Sequence, residues 1–157
     1  MDKDRSSSTL SDALDRLAND KDIYVRWAMA HNPATVPEAL LQLAYDEDWR
    51  VREAVAGNPS APTNLLVALD NDESWQVRRA IAINTNTPPK TLEYLAKDEY
   101  MHVRFWVARN PHTPPDVLIE LSTDENAIVR FEARKNESTP TDVSTEITKT
   151  LESGILI

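Results

Sequence analysis

The sequence predicts an all-α chain, a solenoid of five 26-residue two-helix repeats followed by a C-terminal capping half-repeat, and three observations predict it. Val-Arg recurs as Val25-Arg26, Val51-Arg52, Val77-Arg78, Val103-Arg104 and Val129-Arg130, always 26 residues apart. Six residues before each Arg stands an Asp (Asp20, Asp46, Asp72, Asp98, Asp124), and six after it an Asn (Asn32, Asn58, Asn84, Asn110, Asn136). Each unit also carries two short apolar stripes of helical period, neither long enough to be stable alone in water. Stacking resolves this, since one layer's face becomes the next layer's core. On this division residues 1–8 are a flexible N-terminal tail, 9–150 the repeat domain and 151–157 a C-terminal tail.

The first helix of each unit is expected to begin near Thr35, Thr87, Thr113 or Thr139, with Pro or Val next, as an N-cap hydroxyl before a first-turn proline. Leu40 and Leu43, like Leu66 and Leu69 or Leu92 and Leu95, supply its stripe at i, i+3. The second helix opens at Asp22, Asp48, Ser74 and Asn126, all good N-caps, whereas Tyr100 breaks the pattern. Its buried stripe is Val51, Ala54, Val55 and Asn58, at i, i+3, i+4, i+7. The Asn, commonly followed by Pro, reads as a left-handed terminator with a proline stop. Two alanine columns (Ala28, Ala54, Ala80; Ala30, Ala56, Ala82, Ala108) let successive second helices approach closely. The repeated Asp and Arg are expected to form a ladder, each Arg forked between carboxylates of its own and neighbouring units.

Composition excludes several functions. The chain has 157 residues and no cysteine, hence no disulfide, thiolate nucleophile or cysteine metal site, and a cytoplasmic location is expected. The start MDKDRSSSTLSD has no apolar core of a signal peptide, and no apolar run approaches membrane-spanning length. A net charge of −9 argues against nucleic acid binding over the whole surface, though not against a local basic face. His31, His102 and His112 have no ligand partner at i+4, so no metal site is expected. The Asp46-Glu47-Asp48 turn lacks the glycine and closing glutamate of a calcium loop, and capping explains it better. With Gly57 and Gly154 as the two glycines there is no phosphate-cradling loop. No cofactor and no enzyme activity are expected.

The unit LLQLAYDEDWRVREAVAGNPSAP resembles the leucine-rich repeat variant (LRV) repeats of bacteria, and its second half is similar to HEAT repeats in the spacing of Asp46 and Val51-Arg52. The resemblance covers roughly residues 10 to 150. It implies a right-handed superhelix of paired helices, in some members with one helix of each pair in 3₁₀ form, used mostly to bind other macromolecules. Founding LRV proteins carry a cysteine-rich iron-sulfur segment; without cysteine, no cluster carries over to this chain. The last unit departs from the pattern, with Glu137 in place of Pro and with Val143, Ser144 and Ile147 among polar neighbours, and reads as a polar cap. The tail Gly154-Ile155-Leu156-Ile157 either covers the end of the last layer or is a docking strand.

Positions that vary among the copies are free of the stacking constraint. Three such columns lie at i, i+3 and i+7 of the second helix and share one face: Tyr24, Arg50, Gln76, His102, Ile128; Trp27, Glu53, Arg79, Phe105, Phe131; and His31, Gly57, Ile83, Arg109, Lys135. Arg50, Arg79, Arg109 and Lys135 stand against one acid, Glu53, so this face is basic on an acidic chain. Arginine with aromatic residues is the composition of binding hot spots. The expected function is a non-enzymatic binding or scaffold module holding an acidic protein or peptide there, through Tyr24, Trp27, His31, Arg50, Arg79, His102, Phe105, Arg109, Phe131 and Lys135. Nucleic-acid binding along the same groove is the alternative, since cations with stacking aromatics can track phosphates. Trp49 and Trp75 form another column, with Ile23, Met101 and Ala127, expected to pack between layers. Trp106 interrupts an alanine column and has no explanation in the sequence.

Overall fold

The computed structural model describes residues 12–143, and among these every regular element is an α-helix. Residues 12–18 lie in α1. There follow α2 (Ile23–His31), α3 (Pro37–Leu43), α4 (Trp49–Gly57), α5 (Thr63–Ala68), α6 (Trp75–Ile83), α7 (Pro89–Leu95), α8 (Met101–Arg109), α9 (Pro115–Leu121) and α10 (Ala127–Lys135). Residues 141–143 open a further helix. The chain divides into two compact units, one up to Ile81 and one from Ala82. In the first, α2 packs on α4, and α3 packs on both. In the second, α8 packs on α10, α9 packs on both, and α7 packs on α8. Ser144, Ile147 and the tail from Gly154 lie outside the described residues.

The first helix of each pair is α-helical and only six or seven residues long. Its leucines carry its stability: Leu40, Leu66 and Leu92 are fully buried, and Leu43 and Leu95 are 1% exposed. Each such side chain contributes about 2 kcal/mol relative to exposure. The threonines do not cap these helices. The N-caps are Val36, Pro62, Pro88 and Pro114, none with a side-chain hydrogen bond, and proline sits at N1 of α3, α7 and α9. The threonine hydroxyls turn back instead: Thr35 Oγ1 donates to the Met29 carbonyl at 2.6 Å, Thr113 Oγ1 to Val107 at 2.5 Å, and Thr139 Oγ1 to Ala133. A buried hydroxyl thus finds its acceptor in the last turn of the second helix, where the Met29 and Val107 carbonyls also accept from the Asn32 and Asn110 N–H groups at 3.2 and 3.1 Å.

The second helices begin largely as the sequence predicts. Asp22, Asp48 and Asn126 accept from the backbone N–H two residues on, each at 2.9 Å, and Tyr100 caps with no side chain. Their ends differ from expectation. Asn32, Asn58, Asn110 and Asn136 have extended backbones, with φ between −63° and −73°, not left-handed ones. Each asparagine Oδ1 accepts from the N–H two residues on, as Asn58 does from Ser60 at 2.8 Å, which turns the chain. The Nδ2 group reaches the preceding layer. Asn58 donates to the Ala30 and Asn32 carbonyls at 2.7 and 2.9 Å, and Asn110 to Ala82 and Asn84 at 2.8 and 3.1 Å. The asparagine is a joint between layers, and that role requires its amide rather than a left-handed backbone.

The arginine ladder runs in the opposite direction along the chain. Arg52 forks onto Asp72 of the next layer, Nε to Oδ2 at 2.7 Å and Nη2 to Oδ1 at 3.1 Å, with Glu73 at 3.3 Å. Arg26 meets Asp46 and Arg104 meets Asp124 in the same way. Within its own unit, however, each arginine holds a backbone carbonyl rather than a carboxylate: Arg26 that of Asp20, Arg52 that of Asp46, Arg104 that of Asp98, at 2.7 or 2.8 Å. The partner carboxylates are only 6 or 7% exposed, so the fork replaces water they have lost.

One column is broken at a cost. Ala44, Ala96 and Ser122 fill a small position after the first helix and are 4 or 5% exposed, but the unit between carries Asp70. Burial pushes the Asp70 carboxyl above the usual aspartate range, and the group lies just past the negative end of α5. Asp70→Ala is expected to stabilise the chain by about 0.5 kcal/mol at pH 7. The folded pKa is the higher one, so the penalty exists only where the carboxyl ionises. The gain should vanish below the ordinary aspartate value, and urea unfolding at pH 7 and pH 3 checks this.

Candidate functional site: the variable faces of the second helices

Stacking fixes which side of each second helix is free. Val51 and Val55 are fully buried and Ala54 is 7% exposed, so Arg50, Glu53 and Gly57, which share a face that this stripe leaves out, turn toward the outside. In the first unit α2 presents Tyr24, 76% exposed, and Trp27, 40% exposed, with the His31 ring stacked on Trp27 at 5.0 Å and 9° between planes. On α4, Arg50 is exposed, its guanidinium 5.5 Å from the Trp49 ring centre and 3.6 Å from Asp48. Arg79 of α6 lies 5.4 Å from the Trp75 ring and pairs with Glu53 at 2.7 Å, while its Nε is buried without a partner among the described residues. Gly57 leaves a gap, since a Cβ there would meet nothing within 4 Å.

The second unit builds a more compact cluster. The Arg109 guanidinium covers two rings, Phe105 at 5.5 Å and Trp106 at 5.1 Å, and those rings meet edge to face at 5.3 Å. Lys135 of α10 lies 5.9 Å from the Phe131 ring, and Phe131 is 46% exposed. His102 and Ile128 are exposed at the start of the two helices. Beside this platform runs a groove of about 420 Å³, with Arg109, Glu132, Lys135 and Glu137 among its walls. Each exposed cation–aromatic pair is worth on the order of 0.5–1 kcal/mol, enough to hold a long side chain flat over its ring.

The structure alters two expectations for this face. Its positive surplus is smaller than the columns imply, because Glu132, from the alanine column, lies 3.8 Å from Arg109, while Glu53, the one acid of the columns, pairs with Arg79. Trp106 gains an explanation: a large residue in place of alanine gives Arg109 a second ring. Trp49 and Trp75, assigned by the sequence to packing between layers, are half-buried and also lie against arginines of the variable face. The signal for all three was the unusual residue in an otherwise small or aliphatic column. Arg-over-Trp pairing itself depends on rotamers.

The ladder beneath the face is electrostatically firm. Burial alone would push the Asp124 carboxyl up. The Arg104 hydrogen bonds, the Asn126 N–H at 2.7 Å and the charges of Arg104 and Arg130 outweigh it and hold Asp124 below the usual range. Among the described residues no three His, Asp or Glu side chains gather as metal ligands, and no helix is long and apolar enough to cross a membrane.

Comparison with known proteins agrees with the repeat reading. The family model described as leucine rich repeat variant matches residues 101–126, which hold α8, α9 and the turn that follows. A solved structure, described as a leucine-rich repeat variant with a novel repetitive protein structural motif, is 30% identical with a TM-score of 0.69, covering 86% of this chain. The chain spans 54% of the length of that structure. Among curated proteins none matches. The chain is therefore an all-helical repeat protein with the layer architecture of a leucine-rich repeat variant.

Proposed function

We propose that the chain is a non-enzymatic scaffold that holds an acidic protein or peptide on the variable faces of its second helices. One observation supports this above the others: Phe105 and Arg109, from columns released from stacking, join Trp106, which replaces an alanine, in a half-buried platform under an exposed guanidinium, with a groove beside it. A carboxylate entering that groove would find Arg109 and Lys135 with their hydrocarbon stems already ordered on aromatic rings, which lowers the entropy lost on binding. Trp27 with His31 offers a second, flatter anchor in the first unit. The residues proposed to carry binding are Tyr24, Trp27, His31, Arg50, Arg79, His102, Phe105, Arg109, Phe131 and Lys135; the Arg79–Glu53 pair must open for Arg79 to take part.

An immobilised full-length chain would be challenged with a peptide library rich in Asp and Glu and with single-stranded oligonucleotides at low salt. Retained peptides are expected to be acidic, and Trp27→Ala/Arg109→Ala/Phe131→Ala should weaken them at least tenfold while leaving the circular dichroism and melting curve unchanged. Unchanged retention by this variant would remove the face from consideration. Retention of oligonucleotides alone, steeply lost with salt, would assign it to nucleic acid instead.

A further inference from the structure

The end face formed by α1 and α2 differs from the internal ones. One layer on, Leu40, Leu43, Val51, Val55 and Asn58 are 0 to 2% exposed. Their counterparts 26 residues earlier are Leu14, Leu17, Val25, Met29 and Asn32, of which Leu17 is 44% exposed and Asn32 is exposed. These five residues, with Tyr24, line a largely apolar groove of about 690 Å³.

The polar half of the joint is open as well. Asp46 and Asp72 each receive an arginine fork from the layer before, whereas the Asp20 carboxylate receives, among the described residues, only the Asp22 N–H at 2.8 Å. Asn58 donates to two carbonyls of the preceding layer, while Asn32 Nδ2 has no acceptor among the described residues. Groove, carboxylate and amide are the three parts of an interlayer joint, and among the described residues no layer completes them.

We infer that this face docks a helix pair of the same repeat chemistry carried by a partner polypeptide. The partner's second helix must bring an arginine to fork onto Asp20. Four and six residues after that arginine it must offer two backbone carbonyls to Asn32, as Ala30 and Asn32 follow Arg26. Small apolar side chains on the same helix then fill the groove over Leu17 and Met29. A second copy of this chain does not fit in register. Its last such helix is α10, and beyond α10 the chain runs on into helical residues 141–143, at the register of α1. The inference does not depend on the variable face, although Tyr24 borders both surfaces and is left unchanged in the test.

The probe is a synthetic peptide of residues 37–62, one whole repeat carrying Arg52, Ala56 and Asn58, titrated into the full chain and followed by amide chemical shifts. Shifts are expected at Leu14, Leu17, Met29 and Ala34. Affinity should fall at least tenfold for Asn32→Ala or Asp20→Asn, and for the peptide with Arg52→Ala. Asp20→Asn should melt as wild type, because it spans no joint among the described residues and keeps the acceptor for Asp22, and Asn32→Ala, which loses only the exposed bond from the Ala34 N–H, should melt slightly lower. The inference is overturned if no shifts arise at about 1 mM peptide, a concentration that detects even weak binding. Shifts centred on Trp27 or Arg109 would also overturn it. Self-association of the wild type abolished by Asn32→Ala would give the face to a second copy and overturn the assignment to a separate partner.

Discussion

Arg104→Ala is expected to destabilise the chain by about 3 kcal/mol at neutral pH, more than any substitution on the variable faces. The guanidinium is 9% exposed and makes a two-point contact with Asp124, a third with Glu125 and a fourth with the Asp98 carbonyl. Removing it leaves a carboxylate that is 7% exposed with its main counter-charge gone, and breaking a buried pair from one side costs about 3–5 kcal/mol. Arg104→Lys should recover less than half of the loss, because an ammonium cannot fork. The pH dependence identifies the cause. Asp124 has a folded pKa below its unfolded one, so its contribution is complete above the ordinary aspartate value, about 4. It is lost as pH falls through the folded value. Urea unfolding should therefore show the difference between wild type and Arg104→Ala shrinking below about pH 4; a difference constant from pH 7 to pH 2 would contradict the assignment.

Asn58→Asp is expected to be nearly as damaging, although it changes one atom. The Asn58 amide is 2% exposed and faces two carbonyl oxygens at 2.7 and 2.9 Å. A carboxylate there sets an acceptor against acceptors, and the cost should reach about 3 kcal/mol from desolvation and repulsion together. Asn58→Ala removes the repulsion but leaves both carbonyls and the Ser60 N–H short of partners, for about 2 kcal/mol. The equivalent changes at Asn136, only half-buried, should cost less. Melting curves of the three variants test the ranking: equal losses for Ala and Asp at pH 7 would mean that the amide is not a donor across the joint.

The fold was largely legible because its joints are written in residue types that repeat at a fixed interval. Val-Arg, Asp and Asn in register were enough to predict layers, and Leu40, Leu66 and Leu92 to predict the stripes they bury. What a column cannot show is the partner. Asn58 reads as a helix terminator because its local chemistry allows that role, and the carbonyls it serves are 26 and 28 residues away. The threonines were misread for the same reason. Thr113 lies two residues before α9, while its hydrogen bond goes back to Val107. On the variable face the residue types could be picked out, but not their pairings. Glu132 reduces the charge around Arg109 from a column assigned to packing, and Trp106 stayed unexplained until its ring was seen beneath the same guanidinium.

The two kinds of joint point in opposite directions, Arg26 forward to Asp46 and Asn58 back to Ala30. Their spans, 20 and 28 residues, leave whole repeats interchangeable. Excising 26 residues after Arg26 would bring Asp72 to the place of Asp46, with an equivalent carboxylate in an equivalent register. A deletion that is not a multiple of 26 residues would strand both a guanidinium and an amide. Repeat number is thus the character that such a chain can change with every joint intact, while the length within a repeat is fixed by the joints themselves.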